Sequence, residues 1–169
     1  MFTAPFVDTD EQFGIKEKMA TIAICFLTGD PPTKIDLEMI EELVSRGNFD
    51  QIICCLKSQL SRFASPSQRI QMLHLAIPQG LFSKGVFLNY QFADNQYMTT
   101  RNLIREMLIQ QNWGSDSAIT IFPLSHVYFS IPITPRVIRT MIQNNAPDLE
   151  KYLPNDQVAE YIRSENLYK

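Results

Sequence analysis

Residues 21–37, TIAICFLTGDPPTKIDL, decide the fold class. The run from 20 to 27 (ATIAICFL) is apolar without alternation, the pattern of a central parallel strand covered on both faces. It stops at the corner Gly29-Asp30-Pro31-Pro32. Behind the corner, Ile35, Leu37, Met39, Ile40, Leu43 and Val44 trace a helical stripe. Asp36, Glu38, Glu41 and Glu42 fall in the early turns, where negative charge suits the helix dipole, and Gly47 stops the helix. Residues 49–56 (FDQIICCL) read as a second buried strand. Residues 20–56 therefore predict one β-α-β unit with a right-handed crossover. The corner at its centre is where α/β domains commonly hold a phosphate or nucleotide.

The alternation continues outward from that unit. Ser65-Pro66 opens a helix carried by Ile70, Met72, Leu73 and Ala76, until Pro78 and Gly80 end it. Residues 86–92 (VFLNYQF) predict a third strand. Thr99 and Thr100 then cap a helix holding Leu103, Ile104, Met107 and Leu108. Residues 118–122 (AITIF) predict a fourth strand and 126–131 (HVYFSI) a short fifth. Pro135 opens a helix through Val137, Ile138, Met141 and Ile142, and a last helix spans 156–164. Strands alternating with helical stretches of about ten residues predict an α/β fold, doubly wound around a mostly parallel sheet, with C-terminal helices. Residues 1–19 show no sustained period and read as an N-terminal arm, with Phe2, Phe6 and Phe13 to tack it down. Residues 20–169 read as a single domain.

Composition narrows the function classes. Hydrophobic residues make up 45% and charged residues 20%, as in ordinary globular chains. The 15 Lys and Arg are scattered and the formal net charge is -3, so no nucleic-acid partner is expected. No apolar run is long enough to span a bilayer, and the acidic Asp8, Asp10 and Glu11 argue against a secretory signal. Cys25, Cys54 and Cys55 lie in apolar strands at spacings that suit neither zinc nor a disulfide framework. Buried thiols and a cytoplasmic location are the expectation.

Four helix entrances carry candidate binding groups. The first is the corner, with Thr28, Gly29 and Asp30 at the strand end and the free N–H groups of the next helix, which attract phosphate. A plain structural turn rich in Gly and Pro is the alternative. Neither GxGxxG nor GxxxxGK[ST] is present. Asp36 can take a metal or a ribose hydroxyl, or simply be a solvated first-turn acid. The second is residues 134–139 (TPRVIR), where Thr134, Arg136 and Arg139 place a hydroxyl and two guanidinium forks at a helix start. Residues 65–69 (SPSQR) and Thr99, Thr100 and Arg101 are weaker versions, and caps by default. His74 and His126 have no ligand-spaced partners and read as packing or surface groups. No Ser/His/Asp arrangement stands out.

Taken together, these stretches resemble the nucleotidyltransferase superfamily that includes nicotinate- and nicotinamide-mononucleotide adenylyltransferases. That family's first loop reads roughly G-[ST]-F-[ND]-P-[PI]-H-x-G-H, and residues 28–36 (TGDPPTKID) stand in its place. Asp30, Pro31 and Pro32 fit the pattern. Residues 97–108 (YMTTRNLIREML) resemble its Y-T-x-x-T-L helix, and 133–139 (ITPRVIR) its I-S-S-T-x-I-R. Residues 152–168 (YLPNDQVAEYIRSENLY) are similar to its closing segment. The likeness runs in order over residues 20–168.

The resemblance implies a Rossmann-like nucleotidyltransferase fold, ATP as ligand or substrate, Mg2+ as cofactor, and transfer of an adenylyl group to a mononucleotide with release of pyrophosphate. It implies nucleotide binding by Thr28, Gly29, Asp30, Lys34, Thr134, Arg136 and Arg139. It also marks departures. Thr33 and Asp36 occupy the two catalytic histidine positions, Ile35 replaces the glycine between them, and Pro135 and Arg136 break the late motif. Adenylyl transfer in this family works by positioning and charge stabilisation, which an aspartate at a histidine position opposes. The leading expectation is a degenerate nucleotide-binding member with weak or absent transfer. The alternatives are an active, divergent enzyme using Lys34, Arg136 and Arg139, and a non-enzymatic interaction module.

Overall fold

The computed structural model describes residues 19–57, 63–89 and 100–169. Among them, strands β1 (Thr21–Leu27), β2 (Gln51–Leu56), β3 (Val86–Asn89) and β4 (Ala118–Phe122) form one parallel sheet in the order β3-β2-β1-β4. The apolar run that predicts a central strand is central. Cys25 pairs with Cys54 on one side and Phe122 on the other.

Successive side chains of a strand point to opposite faces, and both faces of β1 are buried. Ala23, Cys25 and Leu27 pack against Met39, Ile40 and Leu43 of helix α1 (Lys34–Arg46) and Leu73 of α2 (Pro66–Ala76). Ile22 and Ile24 point the other way, into a cluster with Leu103 and Met107 of α4 (Thr100–Gln110) and with Trp113. Helices on both faces of a parallel sheet make this a Rossmann-like, doubly wound fold. A short helix, α3 (Gln79–Phe82), lies between α2 and β3.

The C-terminal elements build a third apolar cluster on α2. Met72 and Ala76 meet Ile138 and Ile142 of α6 (Pro135–Gln143), Val158, Ala159 and Ile162 of α7 (Asp156–Ser164), and Leu167 and Tyr168 of the tail. A 3-10 turn at Leu149–Tyr152 joins α6 to α7. The predicted starts at Ser65-Pro66 and Thr134-Pro135 hold. Ser65 and Thr134 are N-caps, each with Pro in the first turn.

One predicted element differs. Residues 126–131 do not form a fifth strand; Ser125–Tyr128 is a one-turn helix, α5, followed by turn residues. The reason is tertiary. Tyr128 packs edge-on to Phe122 at 5.3 Å and accepts from Arg46 Nη2 at 2.8 Å, while Ser125 turns inward. An extended chain would send these neighbours to opposite faces. The predicted arm up to residue 18, the end of the third strand at 90–92, and Thr99 lie outside the described residues.

Candidate functional site

The sheet delivers β1 into the corner, and the corner is fastened from four directions. Gly29 has φ +62, a left-handed conformation that favours glycine, and an added Cβ would force the buried Leu56 side chain to shift. On its N-terminal side, Arg69 of α2 reaches under the strand ends. Its Nε and Nη2 donate to the Thr28 carbonyl at 3.1 and 2.5 Å, and Nη2 also donates to the Lys57 carbonyl at 2.6 Å. Arg69 is 0% exposed, and its Nη1 has no hydrogen-bond partner among the described residues. Burial pulls its basicity down, opposed by the charge of Asp30.

Asp30 is also fully buried. Its Oδ1 accepts the Tyr168 hydroxyl at 2.6 Å and the Ala64 N–H at 3.3 Å. Its main-chain carbonyl accepts Arg139 Nη1 at 2.7 Å. The Arg139 guanidinium lies 4.2 Å over the Phe63 ring, a cation–π contact. Burial, then the Asp30 charge and hydrogen bond, hold the Tyr168 phenol far above its ordinary value, so it remains a donor.

The helix side of the corner is a reciprocal capping box. Thr33 Oγ1 accepts the Asp36 N–H at 3.1 Å, and Asp36 Oδ2 accepts the Thr33 N–H at 2.8 Å. The second Asp36 oxygen, Oδ1, accepts a short hydrogen bond from the Ser125 hydroxyl. Thr33 is 1% exposed and Asp36 5%. Burial raises the Asp36 carboxyl above its usual range; hydrogen bonds from Ser125 and Thr33 and the nearby His126 only moderate this.

The sequence-derived candidates thus separate into two groups. Thr28, Gly29, Asp30 and Arg139 converge at the corner, joined by Thr33 and Asp36 as caps. Thr134 is the N-cap of α6, accepting the Val137 N–H at 3.3 Å. Lys34 and Arg136 are exposed at the starts of α1 and α6. Arg101 is exposed on α4, and His74 is exposed and stacked on Phe82. Ser65 forms a second capping box with Gln68. Tyr168, Ser125 and Phe63 are site residues that no spacing in the sequence singles out; Arg69 lies in the candidate segment 65–69, but no local pattern indicates its reach to the Thr28 carbonyl 41 residues away.

No group of three or more His, Cys, Asp or Glu among the described residues could hold a metal. Asp30 and Asp36, the acids of the corner, are buried and hydrogen-bonded. They do not fit a magnesium site, which needs open carboxylate oxygens and waters. The three cysteines are free and buried, with burial the main cause pushing Cys55 up to about 12. No helix among the described residues is long and apolar enough to cross a membrane. What the corner offers chemically, among the described residues, is cations: Arg139 bonded to the Asp30 carbonyl, and Lys34 and Arg136 exposed at the starts of α1 and α6.

No family model and no curated protein sequence matches the chain. Solved structures do. Plasmodium falciparum nicotinic acid mononucleotide adenylyltransferase complexed with APC superposes with a TM-score of 0.60 at 17% identity, over 88% of this chain and 97% of that one. The same enzyme complexed with NaAD gives 0.59 at 16% identity over the same shares. At such identity the match speaks for the fold, and in fold this chain resembles the mononucleotide adenylyltransferases of the nucleotidyltransferase superfamily.

Proposed function

We propose that the chain is a nucleotidyltransferase-like protein that binds a nucleotide through its polyphosphate and has weak or no adenylyl-transfer activity. One observation carries this reading: both oxygens of Asp36 are engaged inside the protein, by Thr33 and Ser125. The two positions that hold imidazoles in the family's loop motif are therefore used to build α1. Losing one donor to a developing phosphate charge costs about 10²–10³ in rate. Lys34, Arg136 and Arg139 remain as cations for a nucleotide such as ATP, and a magnesium ion would arrive on the phosphates. The buried thiols suit the reducing cytoplasm.

The cations Lys34, Arg136 and Arg139 on α1 and α6 favour the second reading, an active enzyme making a dinucleotide in NAD biosynthesis. Two measurements decide. Purified protein with ATP, magnesium and nicotinate or nicotinamide mononucleotide is expected to form no dinucleotide at ordinary rates. Turnover above ~1 s⁻¹ overturns the degenerate reading. Calorimetry with ATP, AMP and pyridine nucleotides, with and without magnesium, is expected to detect ATP. Binding of none of them leaves an interaction module on the same fold.

A further inference from the structure

Tyr168, Asp30, Arg139 and Phe63 form a closed circuit of contacts. The Tyr168 hydroxyl donates to Asp30 Oδ1 at 2.6 Å, and Arg139 Nη1 donates to the Asp30 carbonyl at 2.7 Å. The Arg139 guanidinium sits 4.2 Å over the Phe63 ring, and the Phe63 and Tyr168 rings are 6.5 Å apart. The four come from separate parts of the chain: the loop after β1, the approach to α2, the first turns of α6, and the tail after α7.

An arginine on a helix surface ordinarily samples many rotamers. Here its plane is fixed by a carbonyl at one edge and a ring beneath, and Tyr168 backs both. Tyr168 itself adopts φ +64, a left-handed conformation unfavourable for an aromatic residue, and is buried. The fold holds it there against its local preference, which is the signature of a constrained position. The Asp30 carbonyl takes one of the guanidinium's five N–H donors.

We propose that Tyr168 is a positioning residue: through Asp30 and Phe63 it holds the Arg139 guanidinium in one orientation at the β1–α1 corner, presenting the remaining N–H groups to a ligand phosphate. The link to phosphate rests on the nucleotide-binding reading above; the orientation of Arg139 does not. A preorganised fork loses less freedom on binding than a mobile one, so Tyr168 acts on affinity without touching the ligand.

The test separates the two. Tyr168→Phe removes only the hydroxyl. The ¹⁵N–¹H signal of Arg139 Nε, assigned with Arg139→Ala, is expected to be dispersed in the wild type and to shift toward the free-arginine position in Tyr168→Phe. ATP dissociation constants from calorimetry are expected to rise about tenfold. An Arg139 signal unmoved by Tyr168→Phe overturns the positioning role. A moved signal with unchanged ATP affinity overturns its link to nucleotide binding. If the wild type binds no ATP, the functional reading falls, while the Arg139 signal still decides the positioning. Should Tyr168→Phe fail to fold, Phe63→Leu opens the same circuit from its exposed side and must displace the signal; if it does not, the proposal fails.

Discussion

Thr33 and Asp36 hold each other by two reciprocal hydrogen bonds, 3.1 and 2.8 Å long, and through them fix the first turn of the helix that follows the Gly29–Pro32 corner. A cap of this kind contributes about 1 kcal/mol, by satisfying N–H groups that the helix leaves open. Asp36→Ala removes more than the cap. It also strands the buried Ser125 hydroxyl, which costs a further 1–3 kcal/mol or so. Urea unfolding is therefore expected to show Thr33→Ala down by about 1 kcal/mol and Asp36→Ala by about 2–4 kcal/mol. Equal losses for the two variants would mean that Ser125 does not depend on Asp36.

The same carboxyl sets a pH dependence of known sign. Burial raises Asp36 above its ordinary 3.8, so the folded protein holds the proton more tightly than the unfolded chain. Its contribution to stability is then fully present below pH 3.8 and is lost as pH rises through the raised folded value. Asn at this position keeps an acceptor for the Thr33 N–H and carries no charge to desolvate. Unfolding midpoints measured from pH 4 to 7 should shift in favour of Asp36→Asn relative to wild type as pH increases. A shift in the opposite direction would show that the capping bonds outweigh burial.

Local chemistry made much of this fold legible, and long-range chemistry hid the rest. The unbroken apolar run of β1, the Gly-Asp-Pro-Pro corner and the Thr134-Pro135 helix start are each read from neighbouring residues, and each is present. The Thr33-x-x-Asp36 spacing before an apolar stripe also carries a capping-box signal, which the comparison with the family's histidines obscures. By contrast, Ser125 lies 89 residues from Asp36, and Tyr168 lies 138 from Asp30. No periodicity connects them. The run at 126–131 has the aromatic and β-branched content of a strand, yet Tyr128 folds back onto Phe122 and Arg46, and tertiary packing overrides propensity.

Arg69 is expected to be the most sensitive position around the corner. It is fully buried, ties the Thr28 and Lys57 carbonyls together, and so clamps the ends of β1 and β2. Methionine fills similar volume and removes the buried charge, but leaves both carbonyls without their donor. Lysine keeps the charge but lacks the fork. Arg69→Met should lose about 2–4 kcal/mol in urea unfolding, and Arg69→Lys should not recover most of it. A methionine variant as stable as wild type would mean that desolvating the guanidinium already cancels its hydrogen bonds.

Lys34 and Arg136 test the nucleotide-binding reading, because both are exposed and neither is needed to build the corner. Lys34→Ala and Arg136→Ala should leave the melting temperature within a degree or two, since exposed charges contribute about 0–1 kcal/mol to stability. If these cations meet the polyphosphate, each substitution should weaken ATP binding about three- to tenfold and reduce its dependence on salt, which screens exposed charges over about 10 Å at 0.1 M. AMP, with a single phosphate, should lose less than ATP. Affinities unchanged in both variants, at low salt and with magnesium present, would remove the polyphosphate from these helix starts and leave Arg139 as the corner's sole proposed cation.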